Sequence, residues 1–95
     1  MSDIQIESAG EGSGATRFRV TVREGDSASD HVVSVTEGDY RRMGEGFGSY
    51  EDFVRATFEF LLEREPKDSI LAEFDVSVIP RYFPEYEKEM TARGS

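Results

Sequence analysis

The sequence predicts a small α+β domain in which an antiparallel β-hairpin packs on a central amphipathic helix, followed by short C-terminal helical segments. Residues 15–24 and 30–36 alternate apolar and polar side chains, which is the period of a half-buried strand. Residues 49–64 repeat their apolar positions with the period of a helix. A length of 95 residues allows one domain. We assign that domain to residues 15–90.

The central helix has a start signal, a stop signal and an unusually broad apolar face. Ser49 with Asp52 three residues later resembles a capping box, and Pro66 disfavours helical geometry in the residue before it. So broad an apolar arc predicts contact with a sheet and either a second helix or another subunit. The residues of this arc are Tyr50, Phe53, Val54, Ala56, Thr57, Phe58, Phe60, Leu61 and Leu62.

The hairpin is predicted from residue alternation. In the first strand the apolar face carries Phe18, Val20 and Val22, and arginines at 17, 19 and 23 occupy the outward face. The connection over residues 25–29 is expected to be longer than a two-residue turn. Residues 1–14 are rich in glycine, serine and acids, which predicts a flexible arm. Because Ile4 and Ile6 alternate, a short edge strand is the alternative there.

The segments around the central helix are predicted to be short. Thr36 is expected to cap a helix over Glu37–Met43 that ends at a left-handed Gly44, and the glycines at 44, 46 and 48 are expected to form a hinge. Pro66 suits the first turn of a further helix over Pro66–Glu73, with residues 70 and 71 facing inward. Residues 91–95 are expected to fray after a last helix that ends at Met90.

Residues 74–79 fit two structures. Their alternation and β-branched side chains are typical of a strand. Asp75 as an N-cap, with Phe74 and Ile79 forming a hydrophobic staple, instead predicts a helical turn. We prefer the helical turn, and the strand stays open at this point.

The composition limits the classes of partner. A net charge of −9 repels phosphate backbones, so we expect no nucleic-acid partner. No apolar run approaches the roughly 18 residues of a membrane span, and we expect a soluble cytoplasmic protein with no membrane partner. The charge is consistent with simple solubility or with a complementary basic protein partner.

No catalytic, cofactor-binding or metal-binding residues are predicted. His31 is the single histidine, and its place at the head of a strand, beside Asp30 and a polar turn, predicts a surface side chain. Residues 26–30 resemble the opening of a calcium loop, but Ala28 occupies a ligand position and His31 stands where the loop needs glycine. We therefore expect a protein that is not an enzyme and needs no cofactor.

Part of the chain resembles known proteins. The segments LLEREP (61–66), SIL (69–71), FDVSVI (74–79) and RYFPEYE (81–87) are similar to the C-terminal half of a group of small uncharacterised prokaryotic proteins. That resemblance implies no activity and no functional residue. More weakly, the two strands and helix within Phe18–Leu62 resemble the partial domain of HicB-type antitoxins. The chain departs from that pattern by lacking a predicted third strand before the helix and a DNA-binding segment.

The aromatic content motivates a functional hypothesis. The aromatic surface exceeds what one hairpin can cover, and large exposed apolar patches usually mark partners. We therefore predict a non-enzymatic protein–protein interaction module, with self-association as a homodimer included. The alternative is an antitoxin-like or inhibitor protein that masks a basic partner. The predicted interaction surface consists of Phe58, Phe60, Phe74, Tyr82, Phe83 and Tyr86.

Overall fold

The computed structural model describes residues 3–12 and 14–94. Four strands form one sheet in the order β1-β2-β3-β4, in which β1 to β3 are antiparallel and β4 is parallel to β3. This sheet with its helices confirms the α+β class. The strands are β1 (Asp3–Gly12), β2 (Ala15–Glu24), β3 (Ser27–Thr36) and β4 (Glu73–Asp75). The helices are α1 (Glu37–Asp39), α2 (Tyr50–Arg64), α3 (Ile79–Tyr82) and α4 (Tyr86–Arg93).

Short turns of other helical types join these elements. A π-helical turn over Tyr40–Gly44 and a 3₁₀ turn over Glu45–Phe47 continue from α1. Two further 3₁₀ turns, Lys67–Ser69 and Val76–Val78, flank β4. The prediction of short helical segments after the central helix is confirmed. The helix predicted over Pro66–Glu73 is wrong, because only the Lys67–Ser69 turn forms and the chain then pairs with β3.

The predicted flexible arm is wrong for the residues that the structure describes. Residues 3–12 form β1, which pairs with β2 so that Ile4 lies opposite Val22 and Ile6 lies opposite Val20. Ile4 is buried, and Arg55 of α2 donates a 2.8 Å hydrogen bond to its carbonyl. Two isoleucines and a ladder that is interrupted only between Ser8 and Glu11 thus offset the cost of ordering a polar segment. Residues 1, 2 and 13 of the predicted arm lie outside the described ranges.

The hairpin between β2 and β3 is tighter than predicted. Glu24 pairs with Ser27, so the turn consists of Gly25 and Asp26 alone. Gly25 has φ of 62°, in the left-handed region that glycine adopts without steric cost and that such turns require. The inner faces of both strands carry fully buried valines, and the predicted arginine face is exposed.

The central helix begins and ends where the sequence predicts. The Ser49 hydroxyl accepts a 3.1 Å hydrogen bond from the Asp52 N–H, and Glu65 is already extended. Its broad apolar arc is covered from within the chain. Phe58 packs on the sheet side, 6.0 Å from Phe74 between ring centroids, and Phe60 packs 5.2 Å from Tyr86 of α4. The second contact predicted for this helix is therefore another helix of the same chain.

Residues 74–79 contain both of the structures that the sequence allowed. Phe74 lies in β4, opposite Val33, and the chain turns helical at Val76. The Asp75 carboxylate accepts hydrogen bonds from the Ser77 N–H at 2.9 Å and from the Ser34 hydroxyl at 2.9 Å. Burial alone would raise the pKa of Asp75, but these hydrogen bonds lower it below its usual value. Asp75 thus caps a helical turn while its backbone ends a strand.

The glycine-rich segment is a packed joint and not the predicted hinge. Gly44 is buried with φ of −119°, outside the left-handed region, and a Cβ there would lie 2.6 Å from Cγ of Phe53. A Cβ on Gly46 would overlap the carbonyl of Gly94. The N-cap at Thr36 is confirmed, because its hydroxyl accepts from the Asp39 N–H at 3.1 Å. The last helix continues to Arg93, beyond the predicted end at Met90.

Candidate functional site: an apolar cleft beside β4

A cleft of about 350 Å³ opens between the C-terminal end of α2, the connection that follows it, and α3. Its walls are apolar except for Glu65, Ser69 and the Tyr82 hydroxyl. The lining residues are Leu61, Glu65, Ser69, Ile70, Leu71, Phe74, Val78, Ile79, Tyr82 and Phe83. Its volume lies at the lower end of the range for small-molecule pockets, about 300–1,000 Å³, and its mostly apolar lining is typical of such pockets.

Two large apolar side chains are exposed in the part of the chain that the structure describes, and both line this cleft. Leu71 is 49% exposed and Tyr82 is 68% exposed. Single exposed apolar residues are ordinary on protein surfaces. Here, however, both residues line the same cleft together with half-buried Phe83, and this makes the cleft the candidate binding site.

The structure divides the predicted interaction surface into core and cleft residues. Phe58, Phe60 and Tyr86 are fully buried within the chain, so their side chains offer nothing to a partner. Phe74, at 9% exposure, forms part of the cleft wall, and Tyr82 and Phe83 line its open side. The predicted surface therefore reduces to residues 74, 82 and 83.

Sequence reasoning missed the remaining cleft residues. Ile70 and Leu71 were both expected to face inward, but only Ile70 is buried and Leu71 faces the solvent. For Glu65, the sequence predicts only that helical geometry ends there, before Pro66. A short apolar pair after a proline carries no periodicity, so no local signal separates the buried member from the exposed one.

His31 is a core residue that holds the cleft edge, not the predicted surface side chain. It is 3% exposed, and its ring lies 5.4 Å from that of Phe58. Its Nδ1 donates to the Leu71 carbonyl at 2.8 Å, because a carbonyl can only accept. In the neutral ring Nε2 then accepts from the Ser29 hydroxyl, also at 2.8 Å. The only histidine thus fixes the backbone that presents Leu71.

A buried hydrogen-bond chain fixes α4 behind the cleft. The Thr57 hydroxyl donates to the Phe53 carbonyl at 2.9 Å, so the Tyr86 hydroxyl donates to Thr57 Oγ1 at 2.8 Å. Burial raises the pKa of Tyr86, and the Thr57 hydrogen bond only partly opposes that rise. Tyr86 therefore serves as a neutral anchor that joins the core of α2 to α4.

Ion pairs on the surface also join the C-terminal end of α2 to α4 and to Glu85, which precedes it. The Arg64 guanidinium lies 3.6 Å from the centroid of the Phe60 ring and pairs with Glu85 at 3.0 Å. Glu63 accepts from Arg93 at 2.8 Å and from Arg64 at 3.3 Å. The Arg93 hydrogen bond lowers the pKa of Glu63 below its usual value, and its charge and Arg64 add to that effect. These contacts tie the end of α4 to α2.

Replacing Arg93 by glutamine is expected to raise the pKa of Glu63 toward that of an ordinary glutamate. A pKa that is lowered by folding contributes stability above the unfolded pKa, and this contribution is lost as pH falls through the folded pKa. NMR titration of the side-chain carboxyl carbons measures the pKa directly. Lys88→Gln removes the same charge from the same helix and is expected to leave the pKa of Glu63 nearly unchanged. An equal rise in both variants would contradict the assignment to the Arg93 contact.

Metal and membrane features are not found in residues 3–12 and 14–94. No group of three or more histidine, aspartate or glutamate side chains in these ranges is placed to hold a metal ion. None of the helices formed by these residues combines the length and the apolar character needed to cross a membrane.

Comparisons with protein-family models, with curated proteins and with solved structures gave no match to this chain.

Proposed function

We propose that this chain is a small acidic protein–protein interaction module whose cleft receives an anchor residue of a basic protein partner. The observation that carries this proposal is that Leu71 and Tyr82, the exposed large apolar residues of the described chain, line one cleft. Hot spots of interfaces are enriched in tryptophan, tyrosine and arginine side chains that lie in desolvated pockets. The cytoplasmic setting expected from the sequence is part of the proposal.

The charge of the chain supports a basic partner over a second copy. A net charge of −9 attracts a basic surface and opposes the approach of an identical acidic one. Near the cleft, Glu73 at the start of β4 is an exposed acid, and the exposed Asp68 of the connection pairs with Lys67 at 3.2 Å. Charge also favours a more specific role, the masking of a basic protein in the manner of an antitoxin or inhibitor.

The proposal is tested with a partner recovered from host lysate and then purified. Leu71→Ser and Tyr82→Ser are each expected to weaken binding about tenfold or more, as measured by calorimetry. Both residues are exposed, so each change is expected to alter the free energy of unfolding by about 0.5 kcal/mol or less. The affinity of the unaltered chain is expected to fall with rising salt.

Two controls make the test decisive. Gln5→Ser changes an exposed residue of β1, outside the cleft, and is expected to leave binding unchanged. Unchanged affinity in both cleft variants would overturn the proposal. Sedimentation of the chain alone tests whether it forms a homodimer. If it does, and if Leu71→Ser dissociates that dimer, the cleft serves self-association and the proposal of a basic protein partner is contradicted.

A further inference from the structure

Glu65 is the one charged residue among the side chains that line the cleft. It follows α2 directly, where its backbone N–H donates to the Leu61 carbonyl at 2.9 Å. Its side chain is half-buried and forms no ion pair or hydrogen bond with the residues described by the structure. In contrast, the neighbouring Glu63 is held by two arginines. An unpaired carboxylate therefore borders an apolar cavity.

The chemistry of the occupant follows from this carboxylate. A neutral aliphatic or aromatic group that fills the cleft removes water from the Glu65 carboxylate and supplies nothing in return, which is unfavourable. An anionic group is repelled. A cationic group with an apolar stem satisfies the carboxylate and also covers the leucine and isoleucine walls.

We propose that the cleft is selective for a basic side chain of the partner, with arginine preferred, whose stem packs on the apolar walls and whose cationic head pairs with Glu65. This inference rests on the proposed function and adds the identity of the anchor. Arginine is preferred over lysine because a planar guanidinium also stacks on aromatic rings, and the rings of Tyr82 and Phe83 line the same cleft. The same chain already shows such stacking, between Arg64 and the Phe60 ring.

The test uses blocked tripeptides with arginine, lysine, norleucine or glutamate between two alanines. Each is titrated into the ¹⁵N-labelled full chain and followed by two-dimensional NMR. The arginine peptide is expected to shift the amide signals of Ser69, Leu71 and Tyr82, and to bind about tenfold more tightly than the norleucine peptide. The lysine peptide is expected to bind between these two, and the glutamate peptide is expected to give no shifts.

Variants identify the group responsible for selectivity. Glu65→Gln is expected to remove the preference for arginine over norleucine by weakening the arginine peptide alone. Glu73→Gln is the matched control, because it removes an equal charge from an exposed residue that does not line the cleft. It is expected to keep most of the preference. Equal losses in both variants would assign the effect to the net charge and overturn the role of Glu65.

The remaining outcomes separate this inference from the proposed function. If the arginine and norleucine peptides bind equally well, and Glu65→Gln changes neither affinity, the cationic anchor is overturned. The proposed function then stands with an apolar anchor residue. No shift at the cleft with the arginine peptide also overturns the inference. The proposed function fails separately, if Leu71→Ser and Tyr82→Ser leave the binding of the purified partner unchanged.

Discussion

Replacing His31 by alanine is expected to lower the free energy of unfolding by about 2–4 kcal/mol, because the variant loses a buried ring and leaves a carbonyl without its hydrogen bond. The ring is 3% exposed, so its removal leaves a cavity against Phe58. The Leu71 carbonyl loses its 2.8 Å donor and Ser29 loses its partner. The total free energy of unfolding of native proteins is about 5–15 kcal/mol. Urea denaturation will therefore show this loss as a large fall in the urea concentration at the unfolding midpoint.

The matched variant for His31 is asparagine, whose side-chain amide can donate from nearly the position of Nδ1. His31→Asn is expected to recover part of the lost stability. It is also expected to bind the partner more tightly than His31→Ala does, because the Leu71 backbone regains its donor. His31→Leu fills space without a donor and serves as the opposite control. If the leucine variant proves as stable as the unaltered chain, packing alone explains the role of His31 and the hydrogen bond to Leu71 is unimportant.

Gly44→Ala is expected to destabilise the chain by about 1–3 kcal/mol through overpacking. A Cβ at this position would approach Cγ, Cδ1 and Cδ2 of Phe53 to 2.6, 2.8 and 2.9 Å. Phe53 is fully buried, and its ring contacts those of Tyr40 and Phe47, so it has little room to withdraw. Thermal and urea denaturation of the variant measure this cost.

Gly12→Ala is the control for Gly44, because it makes the same substitution at a site with open space. Apart from Gly12 itself and its chain neighbours, no atom of the described residues lies within 4 Å of a Cβ at Gly12, and its φ lies outside the left-handed region. That variant is expected to match the unaltered chain within about 0.5 kcal/mol. Phe53→Leu combined with Gly44→Ala is expected to cost less than the sum of the two separate changes, since a smaller side chain relieves the overlap. Equal stability of Gly44→Ala and Gly12→Ala would contradict the packed joint.

Local signals in the sequence determined the central helix and the inner and outer faces of the hairpin strands, but not the length of the hairpin turn. The Ser49 cap, the apolar period of residues 50–62 and Pro66 each act on residues close to them in the chain. Together they specify α2 without the rest of the fold. The same holds for β2, whose alternation defines an inner and an outer face. The net charge of −9 is also a property of the sequence alone, and it supports a basic partner whatever the topology.

Pairing over long distances in the chain decided the rest. β1 forms because Ile4 and Ile6 complete the apolar face of a neighbouring strand, and in isolation their polar surroundings predict no structure. β4 is three residues long and exists only by pairing with β3, about forty residues earlier. His31 is buried because Leu71 arrives across that same distance to accept its hydrogen bond.

The cleft belongs entirely to this second category. Its walls come from the end of α2, the connection that follows it, β4 and α3, and each supplies side chains that look unremarkable in the sequence. Periodicity states which residues of an element share a face, but it does not state which faces the other elements leave uncovered. Phe58, Phe60 and Tyr86 are fully buried in the core, Phe74 is buried but forms part of the cleft wall, and Tyr82 stays exposed. Only the packing of all these elements together decides that difference.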